Sequence, residues 1–102
     1  MPRLFIGLGV QNTRKVGGRT IFRILISGAG TESSNGEFVK DGVINGEPFY
    51  SLGINVIYWD GSEWIIEDNI FEDNTYKSAD LITWEQANGV SPAPTSTLYY
   101  TP

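Results

Sequence analysis

The sequence has neither cysteine nor histidine among its 102 residues. Without cysteine there is no disulfide framework, no thiolate nucleophile and no cysteine-ligated metal. Without histidine the chain also lacks the commonest zinc ligand and the usual general base near neutral pH. These absences exclude the enzyme classes that depend on either side chain.

Long apolar runs are missing as well, since no stretch approaches the ~18 residues that a membrane-spanning helix needs. The apolar segment Leu4–Val10 holds two glycines and no small-x-small cleavage site, so we expect neither secretion nor a membrane partner. A chain of this length has room for one domain with a single hydrophobic core.

Acidic residues are absent from residues 1–30, which carry five cations. All twelve acids lie in residues 31–102, against two lysines, which gives that part a net charge of −10. Such a division indicates a basic segment joined to an acidic body.

Residues 1–19 combine charge with four glycines and keep no regular hydrophobic period. A segment of this kind buries too little apolar surface to offset its ordering entropy, so we predict an extended arm that a partner orders. Fully extended, it would reach roughly 60 Å. The side chains that we expect to contact the partner are Leu4, Phe5, Ile6, Arg14, Lys15, Arg19 and Arg23.

Residues 20–102 read as a single all-β domain in which short β-rich runs alternate with turns. Five dipeptides favour the positive φ angles of tight hairpins: Asn35-Gly36, Asp41-Gly42, Asn45-Gly46, Asp60-Gly61 and Asn88-Gly89. The predicted strands are Thr20–Ile26, Glu37–Lys40, Pro48–Ser51, Asn55–Trp59, Glu63–Asp68, Thr75–Ser78, Ile82–Glu85 and Ser96–Tyr100. This pattern predicts a small antiparallel sandwich or barrel-like module. Only residues 78–88 could hold a helical turn.

The hairpin around Asp60-Gly61 gives the most detailed prediction. A two-residue loop pairs Trp59 with Ser62 and Ile57 with Trp64, and with them Asn55 with Ile66. Since strand side chains alternate, Ile57, Trp59, Trp64 and Ile66 then share one face, which we assign to the core. The opposite face is half apolar, so we expect it to be covered by another strand or used as an interface.

The order of motifs resembles a small β-rich module that recurs in virion structural proteins of tailed bacteriophages, and also in unrelated multidomain proteins. The resemblance covers roughly residues 26–96, and its motifs are Gly28–Gly42, Asn45–Tyr50, Ile57–Ile66, Tyr76–Ser78, Trp84, Gly89 and Pro92–Thr95. The preceding Gly7–Val10 and Arg14–Gly18 are similar to the leader of many small phage structural proteins. The resemblance implies a β-rich unit displayed on a particle, and it implies no catalytic residues.

Two clusters invite a ligand. The acids Glu67, Asp68, Glu72 and Asp73 offer oxygens to a calcium ion, but their spacing is not that of an EF-hand, and a solvated loop is the default. Aromatic side chains offer either an oligomer interface or a platform for glycans. The candidates for that role are Tyr58, Trp84, Tyr99 and Tyr100.

We therefore expect a non-enzymatic virion protein with no cofactor, metal or catalytic residue, most simply a capsid decoration or cement protein that is assembled in the host cytoplasm. Its expected partners are the major capsid protein or another virion protein, and further copies of itself, with a trimer favoured. The alternative is a tail or fibre accessory module that binds host surface glycans. Nucleic acid is a less favoured partner, because five dispersed charges with few interleaved aromatics fit it poorly.

Overall fold

The computed structural model describes residues 15–16, 19–68 and 73–101. These residues form one antiparallel sheet and a single 3₁₀ turn at Glu32–Ser34. The strands are β1 (Lys15–Val16), β2 (Arg19–Ser27), β3 (Gly36–Ile44), β4 (Glu47–Leu52), β5 (Asn55–Trp59), β6 (Trp64–Asp68), β7 (Asp73–Ser78), β8 (Glu85–Gln86) and β9 (Thr95–Tyr100). The predicted all-β, antiparallel class is confirmed.

Strands β1 to β8 form a meander in which each strand pairs with the next, and β9 returns to pair with β2. A single bridge between Thr83 and Thr95 joins the segment before β8 to the start of β9. The pairing shifts by one residue within β2, β3 and β7, and such bulges increase local twist. The sheet therefore curls into a half-barrel.

The core lies inside the curl and is built from alternate residues of the strands. Its buried apolar members are Ile21, Ile24, Ile26, Ala29, Phe38, Tyr50, Ile57, Trp64, Ile66, Tyr76, Leu81 and Trp84, with Leu52, Trp59, Ala93, Leu98 and Tyr100 partly buried against them. Two tyrosine hydroxyls satisfy backbone groups here. Tyr50 donates to the carbonyl of Ile21 at 3.0 Å, and Tyr76 accepts from the amide of Thr31 and donates to the carbonyl of Val90.

The predicted register of the β5–β6 hairpin is wrong by two residues. Trp59 pairs with Trp64 and Ile57 with Ile66, so the loop holds four residues rather than two. The Asp60 carboxylate stabilises the longer loop by accepting from the amides of Ser62 and Glu63. A shift of two residues preserves the faces, so the assignment of this set to the core is confirmed.

The five glycine dipeptides do not all form hairpin turns. Asn45-Gly46 does, with φ angles of 54° and 81° that both lie in the left-handed region. Asp41-Gly42 instead lies inside β3 at a bulge, and Asn35-Gly36 leads into the same strand. The β4–β5 turn is formed by Gly53-Ile54, which the dipeptide pattern did not predict.

Two further predictions are wrong. The segment between β7 and β8 contains no helical turn, because the Asp80 carboxylate and the Ser78 hydroxyl cap a series of bends instead. The strand predicted over Ile82–Glu85 is reduced to the Thr83 bridge and the two residues of β8.

Most of the predicted arm, residues 1–19, lies outside the described residues. The part that is described, β1, pairs with the beginning of β2, Lys15 opposite Thr20 and Val16 opposite Arg19. Among the described residues, no helix has the length and apolar character to span a bilayer.

Candidate interaction surface

A bulge in β2 places two large side chains together near the start of the strand. Ile21 pairs with Tyr100 while Arg23 pairs with Tyr99, so Phe22 is the extra residue on β2. The extra residue breaks the alternation of faces at this point. As a result, the guanidinium of Arg23 lies 4.9 Å from the centroid of the Phe22 ring, although the two residues are adjacent in sequence.

The guanidinium of Arg23 is held by three groups on the outer face of the sheet. It also lies 4.9 Å from the ring centroid of Tyr99, and its Nη1 donates to the carboxylate of Glu37 at 2.9 Å. An exposed ion pair contributes about 0.2–1 kcal/mol and an exposed cation–π contact about 0.5–1 kcal/mol. These contacts therefore fix the orientation of the arginine more than they stabilise the fold.

Arg23 and the side chains around it remain accessible to solvent. The side chains of Arg23 and Glu37 are 36% and 45% exposed. Val39, directly opposite Arg23 on β3, is 48% exposed and adds an apolar side chain to this group. We refer to Phe22, Arg23, Glu37, Val39 and Tyr99 as the Arg23 surface. Aromatic residues and arginine are the side chains most enriched at protein interfaces.

Tyr58 of the predicted aromatic set makes a specific internal contact. Its hydroxyl donates to the carboxylate of Glu67, which lies in β6, within the strand predicted over Glu63–Asp68, and is buried. Burial, together with this hydrogen bond and the negative charge of Glu67, raises the pKa of Tyr58 above its ordinary value. The ring is held as part of the fold.

The other predicted aromatic residues separate into core and surface. Trp84 is only 6% exposed and belongs to the core, so the prediction that its ring is free for a ligand is wrong. The chain bends at Ser78 and Asp80 before it reaches Trp84. Tyr100 packs against the core, whereas Tyr99 faces outward beside Arg23.

The predicted arm residues are only partly covered by the structure. Leu4, Phe5, Ile6 and Arg14 lie outside the described residues. Lys15 and Arg19 belong to β1 and β2 through their backbone pairing. Arg23 lies within β2 of the body, where it pairs with Glu37 instead of extending from an arm.

Three acids of the described residues, Asp60, Asp68 and Asp80, accept hydrogen bonds. Those residues contain no group of three metal-ligating side chains, and Asp68 accepts a hydrogen bond from Ser33. Partial desolvation raises the pKa of Asp60, but hydrogen bonds from the Glu63 and Ser62 amides and the Ser62 hydroxyl outweigh it and hold that pKa below its ordinary value. The amides of Thr83 and Ile82 lower the pKa of Asp80 in the same way.

Sequence reasoning missed Phe22, Glu37 and Val39 as members of a surface. Phe22 and Arg23 are consecutive, and strict alternation assigns them to opposite faces. Only the bulge brings them together, and no local signal such as a glycine marks it. Glu37 and Val39 alternate with the buried Phe38, so a pairing of β2 with β3 would have placed them beside Arg23.

Comparison with known proteins gives no relative: no family model, no curated protein and no solved structure matches this chain.

Proposed function

We propose that this chain is a structural protein of a phage particle, a capsid decoration or cement protein that attaches through its N-terminal segment and does not catalyse a reaction. The observation that carries the proposal is the separation of charge. Residues 1–19 hold four cations and no acid, whereas residues 20–102 hold three cations against twelve acids, a net charge of −9. Because residues 1–19 are basic, they are attracted to an acidic surface on a neighbouring protein, whereas the acidic body is repelled by it.

The fold supports the proposal in two ways. The basic segment precedes β2 in the chain. Because β2 is hydrogen-bonded to β3 on one side and to β9 on the other, the segment is joined to the interior of the sheet and not to a loose edge. The Arg23 surface lies on the same strand and offers a contact area for a further copy of this chain, as expected of a protein present in many copies per particle. The buried Trp84 and the engaged Tyr58 leave little of the ring platform that a glycan-binding module needs, so we do not extend that alternative.

The test is mass spectrometry of gradient-purified particles of the phage that carries the gene. We expect the full chain to be present in many copies per particle. A chain lacking residues 1–14, which retains β1, should fold with the same thermal transition and be lost from the particles. Absence of the full chain, or undiminished incorporation of the shortened one, would overturn the proposal.

A charge-matched pair separates attachment by the N-terminal segment from a general effect of net charge. The double variant Arg3→Glu/Arg14→Glu lowers the net charge by the same amount as Lys40→Glu/Lys77→Glu, which alters the body alone. We expect the first to weaken incorporation at least tenfold and the second to leave it within about twofold. Equal losses would show that the position of the charge is unimportant.

A further inference from the structure

We propose that the Arg23 surface is the site at which a second copy of this chain binds, through a two-fold contact. The proposal rests on the described residues of β2, β3 and β9 and does not require that the protein belong to a phage. It replaces the trimer expected from the sequence with a dimer.

The first argument is electrostatic. Residues 20–102 carry a net charge of −9, so two bodies repel each other in most orientations. The repulsion is weakest where both charges of an ion pair lie side by side, as on the Arg23 surface, where Nη1 of Arg23 lies 2.9 Å from the carboxylate of Glu37. Two such surfaces attract each other when one copy is rotated so that its Arg23 lies near Glu37 of the other copy, and the reverse.

The second argument is symmetry. A surface that holds both charges of an ion pair is complementary to itself, and self-complementary surfaces meet across a two-fold axis. A cyclic trimer would need two different patches that are complementary to each other. Across the two-fold axis, Arg23 of each copy approaches Glu37 of the other, so that the two ion pairs join into a group of four charges.

The third argument is the apolar area beside the charges. Val39 is 48% exposed, and the rings of Phe22 and Tyr99 flank the guanidinium without covering Val39. Covering an exposed apolar residue and two aromatic edges supplies the hydrophobic contribution that an ion pair alone lacks. Since β2 follows the basic segment, a dimer formed here also carries two such segments, and attachment by both raises affinity through effective concentration.

Sedimentation analysis over a concentration series tests the proposal directly. We expect a reversible monomer–dimer equilibrium for the full chain. Val39→Glu should weaken the dimer at least tenfold, while Val90→Glu, the same substitution at a 60% exposed site in the loop before β9, should leave it unchanged. A monomer at every concentration, a trimer, or equal effects of the two substitutions would overturn the proposal.

A mixing experiment separates contacts between copies from the ion pair within one copy. Arg23→Glu and Glu37→Arg each place like charges together at the two-fold contact, so each variant alone should be monomeric. In a one-to-one mixture, both contacts between copies again join opposite charges, although neither chain regains its internal pair. We expect the mixture to form a heterodimer, and a mixture that stays monomeric would contradict the two-fold contact.

These results are independent of the attachment test. A chain that dimerises but is absent from particles would overturn the proposed function alone. A monomeric chain that joins particles through residues 1–14 would overturn the dimer alone.

Discussion

The strands β6 and β2 are both rich in isoleucine, yet the sheet uses them differently. In β6 both faces are buried, since Ile65 and Ile66 are 2% and 0% exposed. In β2 the inner Ile24 is fully buried, while the outer face holds the half-buried Leu25 and the accessible Arg23. An apolar run therefore defines a strand, whereas the tertiary fold decides whether one face or both are closed to solvent.

Alanine substitutions in β6 should have the largest effect and test whether both faces are closed. Ile65→Ala and Ile66→Ala each remove a buried side chain, so each should lower the free energy of unfolding by about 2–5 kcal/mol. Urea denaturation of the two variants measures this. If Ile65→Ala costs less than about 1 kcal/mol, the outer face of β6 is not packed as described.

Alanine substitutions at two consecutive residues of β2 should lower the free energy of unfolding by unequal amounts. Ile24→Ala should cost about 2–5 kcal/mol, because the residue is completely buried. Leu25→Ala should cost less than about 1.5 kcal/mol, because a half-buried side chain loses less apolar contact. Equal losses, measured by the same urea titrations, would remove the contrast between the two strands.

Tyr50→Phe tests the polar part of the core near the β2 bulge. The substitution keeps the ring but leaves the buried carbonyl of Ile21 without its donor, so we expect a loss of about 1–3 kcal/mol. Thermal and urea unfolding measure the loss. Tyr99→Phe is the matched control on the outer face, and it should change stability by less than about 0.5 kcal/mol.

The smallest expected effect concerns the β5–β6 turn and its dependence on pH. Asp60→Ala removes an acceptor from the amides of Ser62 and Glu63 and should cost about 1 kcal/mol at pH 7. The pKa of Asp60 is lower in the folded than in the unfolded chain, so its electrostatic contribution is present above the unfolded value of about 4 and is lost as pH falls through the folded value.

Urea midpoints of the parent and Asp60→Ala should therefore converge as the pH is lowered below about 4. Asp60→Asn keeps a side-chain oxygen as acceptor and should lie between the two at pH 7. A difference between parent and Asp60→Ala that is the same at pH 7 and at strongly acid pH would contradict the role of the ionised carboxylate.

The sequence predicts the fold class and the inward faces because alternation with period two survives errors of register. The β5–β6 loop illustrates this, since Ile57, Trp59, Trp64 and Ile66 share a face under the predicted and the observed pairing. Alternation cannot predict where an extra residue enters a strand. The bulge at Phe22 is such a place, and it is the reason why alternation does not set Phe22 and Arg23 on one face.

Trp84 shows a second limit of sequence reasoning. Its neighbours Thr83 and Glu85 are polar and exposed, so alternation sets the ring on the opposite face but does not say whether that face is covered. Ser78 and Asp80 bend the chain just before it by accepting hydrogen bonds from amides three positions further on. The burial itself depends on the curled sheet, whose core Trp84 joins, and on the bridge between Thr83 and Thr95, which a short window of sequence does not show.

Because the chain has no cysteine, a thiol introduced into the Arg23 surface can report whether that surface is open in the monomer and covered in the proposed dimer. A single thiol introduced as Val39→Cys can be labelled alone, with Ile65→Cys as the buried reference and Val90→Cys as the exposed one. We predict fast labelling of Val39→Cys in dilute protein and progressive protection as concentration rises, while Ile65→Cys stays slow and Val90→Cys fast throughout. A labelling rate at Val39→Cys that does not change with concentration would contradict the account.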